Sequence, residues 1–179
     1  MRINFNKNLV QTSLIMSSLS HQPLNNLVSI KRKDSRNIAF IDSSIKSCED
    51  IVQDVIPQAR AIIIGSEDDG VRAIGEILND SNCSEIHIFS SGFPGCIYLG
   101  NSELSIDSFD VYRRSLKSWF NNYDRLNSRS RPSYIHIYSY NLNVGDVGEE
   151  FVKKLNQITG AQIRTSVNIL NSTILQTES

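Results

Sequence analysis

The chain has 179 residues, enough for one domain with a little to spare. Hydrophobic residues make up 40% and charged residues 21%, and 18 basic against 19 acidic side chains leave a formal net charge of −1. That balance removes any electrostatic reason to expect nucleic acid or anionic membrane as the main partner, and no apolar run approaches the ~18 residues of a membrane span.

Residues 1–36 are rich in Asn, Ser and Gln, with apolar side chains loosely spaced at Leu9, Val10, Leu14, Ile15 and Leu19. Gln11, Thr12 and Ser13 interrupt what would have to be the apolar stretch of a signal peptide, so no classical signal peptide is expected. The segment reads as a polar arm, either a short amphipathic helix docked on the domain or partly disordered. Its basic cluster Lys31-Arg32-Lys33 reads as solvated. The expected location is cytoplasmic, unless the chain forms part of a larger exported protein.

Residues 37–179 alternate strand and helix patterns. A short apolar run at 38–41 closes at Asp42, and Ile51, Val52, Val55 and Ile56 follow at helical spacing until Pro57. The β-branched run at 61–64 ends at Gly65, the pattern of a buried parallel strand. Val71, Ile74, Ile77 and Leu78 predict a helix after Gly70, and 86–89 predict the third strand, ending at Ser90-Ser91-Gly92. A hairpin-like excursion is expected around 96–99, with Gly100-Asn101 as its turn. Ser105 is placed to cap a helix whose apolar face includes Phe109, Tyr112, Leu116, Trp119 and Phe120. The stretch 127–132 is loop-like, 134–138 predict the fourth strand, and 148–158 a helix with Phe151, Val152 and Leu155 inward, ended by Thr159-Gly160. The fifth strand is expected at 161–165, and the tail beyond Asn168 could add an edge strand. Strands joined by single helices pair in parallel through right-handed crossovers. The fold class is therefore α/β, a three-layer α/β/α sandwich around a mostly parallel sheet of about five strands.

In such sheets ligands bind beyond the carboxyl ends of the strands. Here those ends carry Asp42-Ser43-Ser44, Ser66-Glu67-Asp68-Asp69, Ser90-Ser91-Gly92, Ser139-Tyr140-Asn141 and the segment 165–168. No Gly-rich phosphate loop of either common pattern is present. A receiver-like phosphoacceptor would need a carboxylate where Ser90-Ser91 stand, and Ser91 lacks the flanking glycine of a hydrolase elbow. The cysteines, Cys48, Cys83 and Cys96, form no CxxC pair, and His21, His87 and His136 have no zinc-site spacing. Neither a metal nor a cofactor is expected. His87 and His136, inside strands, read as satisfied scaffold histidines.

A longer pattern carries a resemblance. Residues 85–95 with Leu99-Gly100, and Ile137-Tyr138-Ser139-Tyr140-Asn141 with Gly145 and the helix start Gly148-Glu149-Glu150-Phe151, resemble the caspase-like bacterial family catalogued as domain of unknown function 4347. Phe40-Ile41-Asp42, Asp69-Gly70-Val71 and Thr159-Gly160-Ala161 fit as well, so the resemblance covers roughly 38–168. It implies a caspase-like fold, and an association with very large bacterial surface or calcium-binding repeat proteins. In caspase-like proteins the third strand ends in His-Gly and the fourth in a Gly-Cys or similar pair. Here Ser91 stands at the histidine position, Ser139 at the glycine position and Tyr140 at the cysteine position. A Ser hydroxyl is no general base near pH 7, and a tyrosine with pKa about 10 is a poor nucleophile there. Loss of a nucleophile alone costs a hydrolase about 10⁶ in turnover, about 8 kcal/mol of barrier.

The expectation is a non-catalytic caspase-like domain, a pseudopeptidase that binds a protein partner. Asp42, Ser90, Gly92, Ser139 and Asn141 could line a residual pocket, or Tyr140 could fill it. Two alternatives stay open: a cysteine peptidase with its nucleophile relocated to Cys96, and a structural subunit of a larger assembly held through the N-terminal arm and the helix bearing Trp119 and Phe120.

Overall fold

In the computed structural model, residues 37–45, 56, 58–121, 123, 126 and 132–166 are described. The predicted arm at 1–36, most of the helix predicted at 51–56 and the tail beyond 166 lie outside them.

Five strands form one parallel sheet: β1 (Asn37–Asp42), β2 (Arg60–Ile64), β3 (Glu85–Phe89), β7 (Tyr134–Tyr138) and β8 (Gln162–Ser166), in the order β2-β1-β3-β7-β8. Three helices lie among the described residues, α1 (Gly70–Asn79), α2 (Phe109–Ser118) and α3 (Gly145–Thr159). Alternation sends Ile38, Phe40, Ile62, Ile64, Ile86, Ile88, Ile135 and Ile137 to one face, where they meet Val71, Ile74 and Leu78 of α1, Phe109 and Leu116 of α2, and Phe151 and Leu155 of α3. This is the main core. On the other face Ala39, Ile41, Phe89 and Tyr138 form a smaller cluster with Ala61 and Ile56, against which Ile45 and Ala59 pack. The result is the α/β sandwich that the alternating pattern predicts.

The local chemistry explains the element boundaries. Asp69 caps α1, its carboxylate accepting from the Arg72 N–H at 3.2 Å. Gly160, in the left-handed region at φ 72°, closes α3 by donating to the Asn156 carbonyl. Ser105 is not the cap of α2. It ends a strand, and Ser108 precedes the helix with its hydroxyl turned back to the Ser105 N–H at 2.8 Å. The third helix starts at Gly145 rather than Gly148, which lies within it, pressed against the backbone of Leu142 and Asn143.

The excursion after β3 is larger than a hairpin. Strands β4 (Gly92–Phe93), β5 (Cys96–Leu99) and β6 (Ser102–Ser105) form a separate antiparallel sheet. Trp119 and Phe120 are buried in the main core, Trp119 donating its indole N–H to the Val71 carbonyl at 3.3 Å. Both side chains are therefore internal, not surface groups of the kind the assembly reading placed on this helix.

Candidate functional site

The carboxyl edge of the sheet is built first by a buckle. Asp42, at the end of β1, is buried and accepts two backbone N–H groups, Ser44 at 2.9 Å through Oδ1 and Gly100 at 2.6 Å through Oδ2. Gly100 has φ 62°, and a Cβ there would collide with the Asp68 carbonyl, so only glycine brings this N–H to the carboxylate. The β5–β6 turn is thereby tied to the main sheet. The Asp42 carboxylate therefore serves the scaffold, with both oxygens engaged by backbone N–H groups.

Ser90 and Ser139 end the neighbouring strands β3 and β7. The Ser90 N–H donates to the Tyr138 carbonyl at 3.1 Å, carrying the ladder one step further. Both side chains follow the parity of Ile88 and Ile137 and so point to the helical face, fully buried, with neither hydroxyl holding a hydrogen-bond partner among the described residues. Gly92 lies against them, since a Cβ there would sit 2.9 Å from Ser139 Oγ and strike the Cys96 carbonyl. The structure therefore brings Ser90, Ser139 and Gly92 together, packed shut instead of around an opening.

Ser91 and Tyr140, which the caspase-like resemblance places at dyad positions, face outward. Ser91 is exposed, its carbonyl taken by the Tyr98 N–H at 3.0 Å, and Tyr140 is 56% exposed. Tyr140 is thus no filling for an interior cavity, because a chain reversal puts its ring outside. Asn141 makes that reversal, at φ 54°, with its carbonyl accepting the Val144 N–H at 3.1 Å.

Cys96, the candidate for a relocated nucleophile, lies in an environment that disfavours its thiolate. It is buried on β5, and burial together with the Glu103 carboxylate pushes its thiol up to about 11. Cys83, also buried, is pushed up to about 12, chiefly by burial. The histidines that could assist Cys96 lie on the far face of the sheet.

Those histidines form a cluster that no motif spacing indicates. Register pairs His87 of β3 with His136 of β7, and their rings stack at 4.5 Å between centroids, 16° from parallel. Phe89 and Tyr138 stack beside them at 4.4 Å. Glu85, two residues before His87 on the same face, places Oε1 2.6 Å from His136 Nε2 and 3.9 Å from His87 Nε2. His87 Nε2 has no hydrogen-bond partner among the described residues, whereas His136 Nε2 has the Glu85 carboxylate as its ion-pair partner. His87 Nδ1 meets the Tyr138 hydroxyl at 3.2 Å. Burial first, and the neighbouring His136 second, lowers the His87 pKa to about 4; burial also lowers His136, against the opposing pull of Glu85. His87 is thus satisfied at Nδ1 only, and His136 has Glu85 for a partner. The one signal in the sequence is a repeated Ile-His-Ile, Ile86-His87-Ile88 and Ile135-His136-Ile137, which becomes a contact once the two strands pair in register.

Large open grooves lie elsewhere. One of about 1000 Å³ runs between α1 and α2, lined by Arg72, Glu76, Asp110, Arg113 and Arg114 among others. Its lining is charged and exposed, an ordinary helical surface. None of the described helices is long and apolar enough to cross a membrane.

In comparison with known families, residues 38–175 fit the model of a domain of unknown function, DUF4347. No curated protein matches the chain.

Proposed function

The chain belongs to the DUF4347 family, whose description assigns no activity, and from that premise we propose a non-catalytic module that binds a protein partner through the loops at the carboxyl edge of its sheet. The observation that carries the reading is an apolar surface. Phe93, Tyr98, Tyr140, Val144 and Val147 are 48%, 38%, 56%, 52% and 54% exposed. Phe93 and Tyr98 meet at 5.9 Å between ring centroids, Gly95 packs on Val147, and the Gly95 N–H donates to the Leu142 carbonyl at 2.9 Å. The two loops that hold these side chains are thus fastened together. Grouped exposed aromatic and branched side chains favour a protein partner that presents an apolar segment of its own. The resemblance to caspase-like proteins supports the non-catalytic half of the reading, with Ser91 and Tyr140 at the dyad positions and a protonated, buried Cys96 nearby.

The test compares the tagged full-length chain with a Phe93→Asp/Tyr140→Asp variant in affinity capture from native cells. A stoichiometric partner held by the wild type and weakened at least tenfold in the variant, with unchanged circular dichroism, is the expected result. A partner retained equally by both overturns the assignment of the surface. Peptide cleavage or labelling by an active-site thiol or serine probe overturns the non-catalytic reading.

A further inference from the structure

We propose that Glu85, His87 and His136 bind a divalent transition-metal ion of the zinc or iron(II) kind, on the sheet face opposite the three described helices. The donor set, two imidazoles and one carboxylate, is the one that borderline-soft divalent ions prefer. One nitrogen from each ring and one carboxylate oxygen lie within 4.8 Å of one another. Two ligand atoms on one such ion sit about 3–3.4 Å apart, given bonds of about 2.1 Å. The Oε1 to Nε2 separations of 2.6 and 3.9 Å bracket that spacing, so movement of about an ångström and rotation of the stacked rings would complete the site.

The orphaned His87 nitrogen is what the ion explains. His87 is only 5% exposed, yet its Nε2 has no hydrogen-bond partner among the described residues, while His136 Nε2 beside it is ion-paired with the Glu85 carboxylate at 2.6 Å. A buried polar atom left without a partner is destabilising, and here it faces a carboxylate 3.9 Å away. The Tyr138 hydroxyl at His87 Nδ1 supplies the usual outer support: if Nδ1 donates its proton there, Nε2 is left as a bare lone pair. Ala39, the register partner of His87 on β1, keeps that side of the ring free of a large side chain. Glu85 is partly exposed, with its side chain 31% accessible, which gives the ion a way in. Arg164, the register partner of His136 on β8, is the opposing charge, and its guanidinium sits over the Tyr134 ring at 4.7 Å. Three protein ligands leave coordination positions for water or a ligand atom, as in reactive rather than closed structural sites.

The experiment uses the full chain with a histidine-free tag, stripped by chelator and titrated with Zn²⁺ by calorimetry and with Co²⁺ by visible absorption. One ion per chain is expected, with d–d bands for Co²⁺ and a raised melting temperature in Zn²⁺. His136→Ala and Glu85→Gln, both at partly exposed positions, should each weaken binding at least thirtyfold and abolish the melting shift. His21→Ala should leave both unchanged. The proposal is overturned if the wild type binds neither ion, or if binding survives His136→Ala and Glu85→Gln.

Discussion

Removing the carboxylate of Asp42 tests whether the carboxyl edge is a scaffold or a site. This side chain is buried and accepts the N–H groups of Ser44 and Gly100 at 2.9 and 2.6 Å. Hydrogen bonds to a charged group contribute about 1.5–3 kcal/mol each, and a buried N–H left without an acceptor costs about 1–3 kcal/mol. Asp42→Ala removes both acceptors and should cost about 3–5 kcal/mol, a large part of the 5–15 kcal/mol typical of a domain. Asp42→Asn keeps the shape but turns an NH₂ toward one of the two donors, so about 2 kcal/mol is expected. Urea unfolding followed by circular dichroism gives both values. Hydrogen exchange at the Gly100 amide reports the bond directly, and its protection should fall in both variants. If both variants stay within about 0.5 kcal/mol of wild type and Gly100 remains protected, the buckle is not made by Asp42 and its carboxylate is free for a ligand.

The remaining expectations concern the groups whose roles the structure changes. His87, at about 4 in the fold against an ordinary 6.5, stays neutral while the unfolded chain takes up a proton. Stability is therefore intact above about pH 6.5 and falls as pH drops toward 4, by about 3 kcal/mol in all. Measured with chelator, the stability difference between wild type and His87→Leu should move by that amount in the variant's favour between pH 7 and 4; a difference independent of pH refutes the burial of a neutral ring. With its thiol near 11, Cys96 has about one thiolate in ten thousand at pH 7. In a Cys48→Ser background the native chain should resist a disulfide reagent while the denatured chain yields both remaining thiols, and fast native labelling at Cys96 would reopen the peptidase reading. Ser139→Ala removes a buried hydroxyl that has no hydrogen-bond partner among the described residues. It should be neutral or stabilising by up to about 1 kcal/mol in thermal unfolding, whereas a loss above 1 kcal/mol would mean that the hydroxyl serves a partner.

The elements legible in the sequence are those set by local chemistry. The run 61–64 can be little other than a buried parallel strand, and Gly160 can end α3 because the left-handed conformation suits it. Reading failed where a role depends on a distant residue. Asp42 is a strand-end carboxylate until Gly100, 58 positions on, takes its Oδ2. Ser105 and Ser108 are equivalent caps by composition, and only the β6 pairing with β5 withdraws Ser105. Tyr140 reads as pocket or filling because the reversal at Asn141 has no strong marker; a non-glycine residue at positive φ is uncommon, though Asn tolerates it best. The histidine pair needs the β3–β7 register, which no single strand contains.

The strand order explains why function should leave the usual crevice. From β1 the chain passes to β2 on one side, while from β3 it passes to β7 on the other, so the switch point lies between β1 and β3. In an open sheet that is where a ligand enters. Here Asp42 stands at that point and is occupied by Gly100, while Ser90, its neighbour across the ladder, is buried. The β4–β6 excursion therefore closes the crevice with the chain's own backbone. Under the proposed binding role, contact at this end would use what the excursion carries outward, the exposed Phe93 and Tyr98 pair. Glu85 begins the same strand whose carboxyl end meets that excursion, and at about 3.3 Å per residue the five positions from Glu85 to Ser90 span roughly 16 Å. Sites so far apart without shared partners act nearly independently. The apolar loops and the histidine–glutamate cluster are thus two separable surfaces on one sheet, which is why loss of one in the variants above would leave the reading of the other intact.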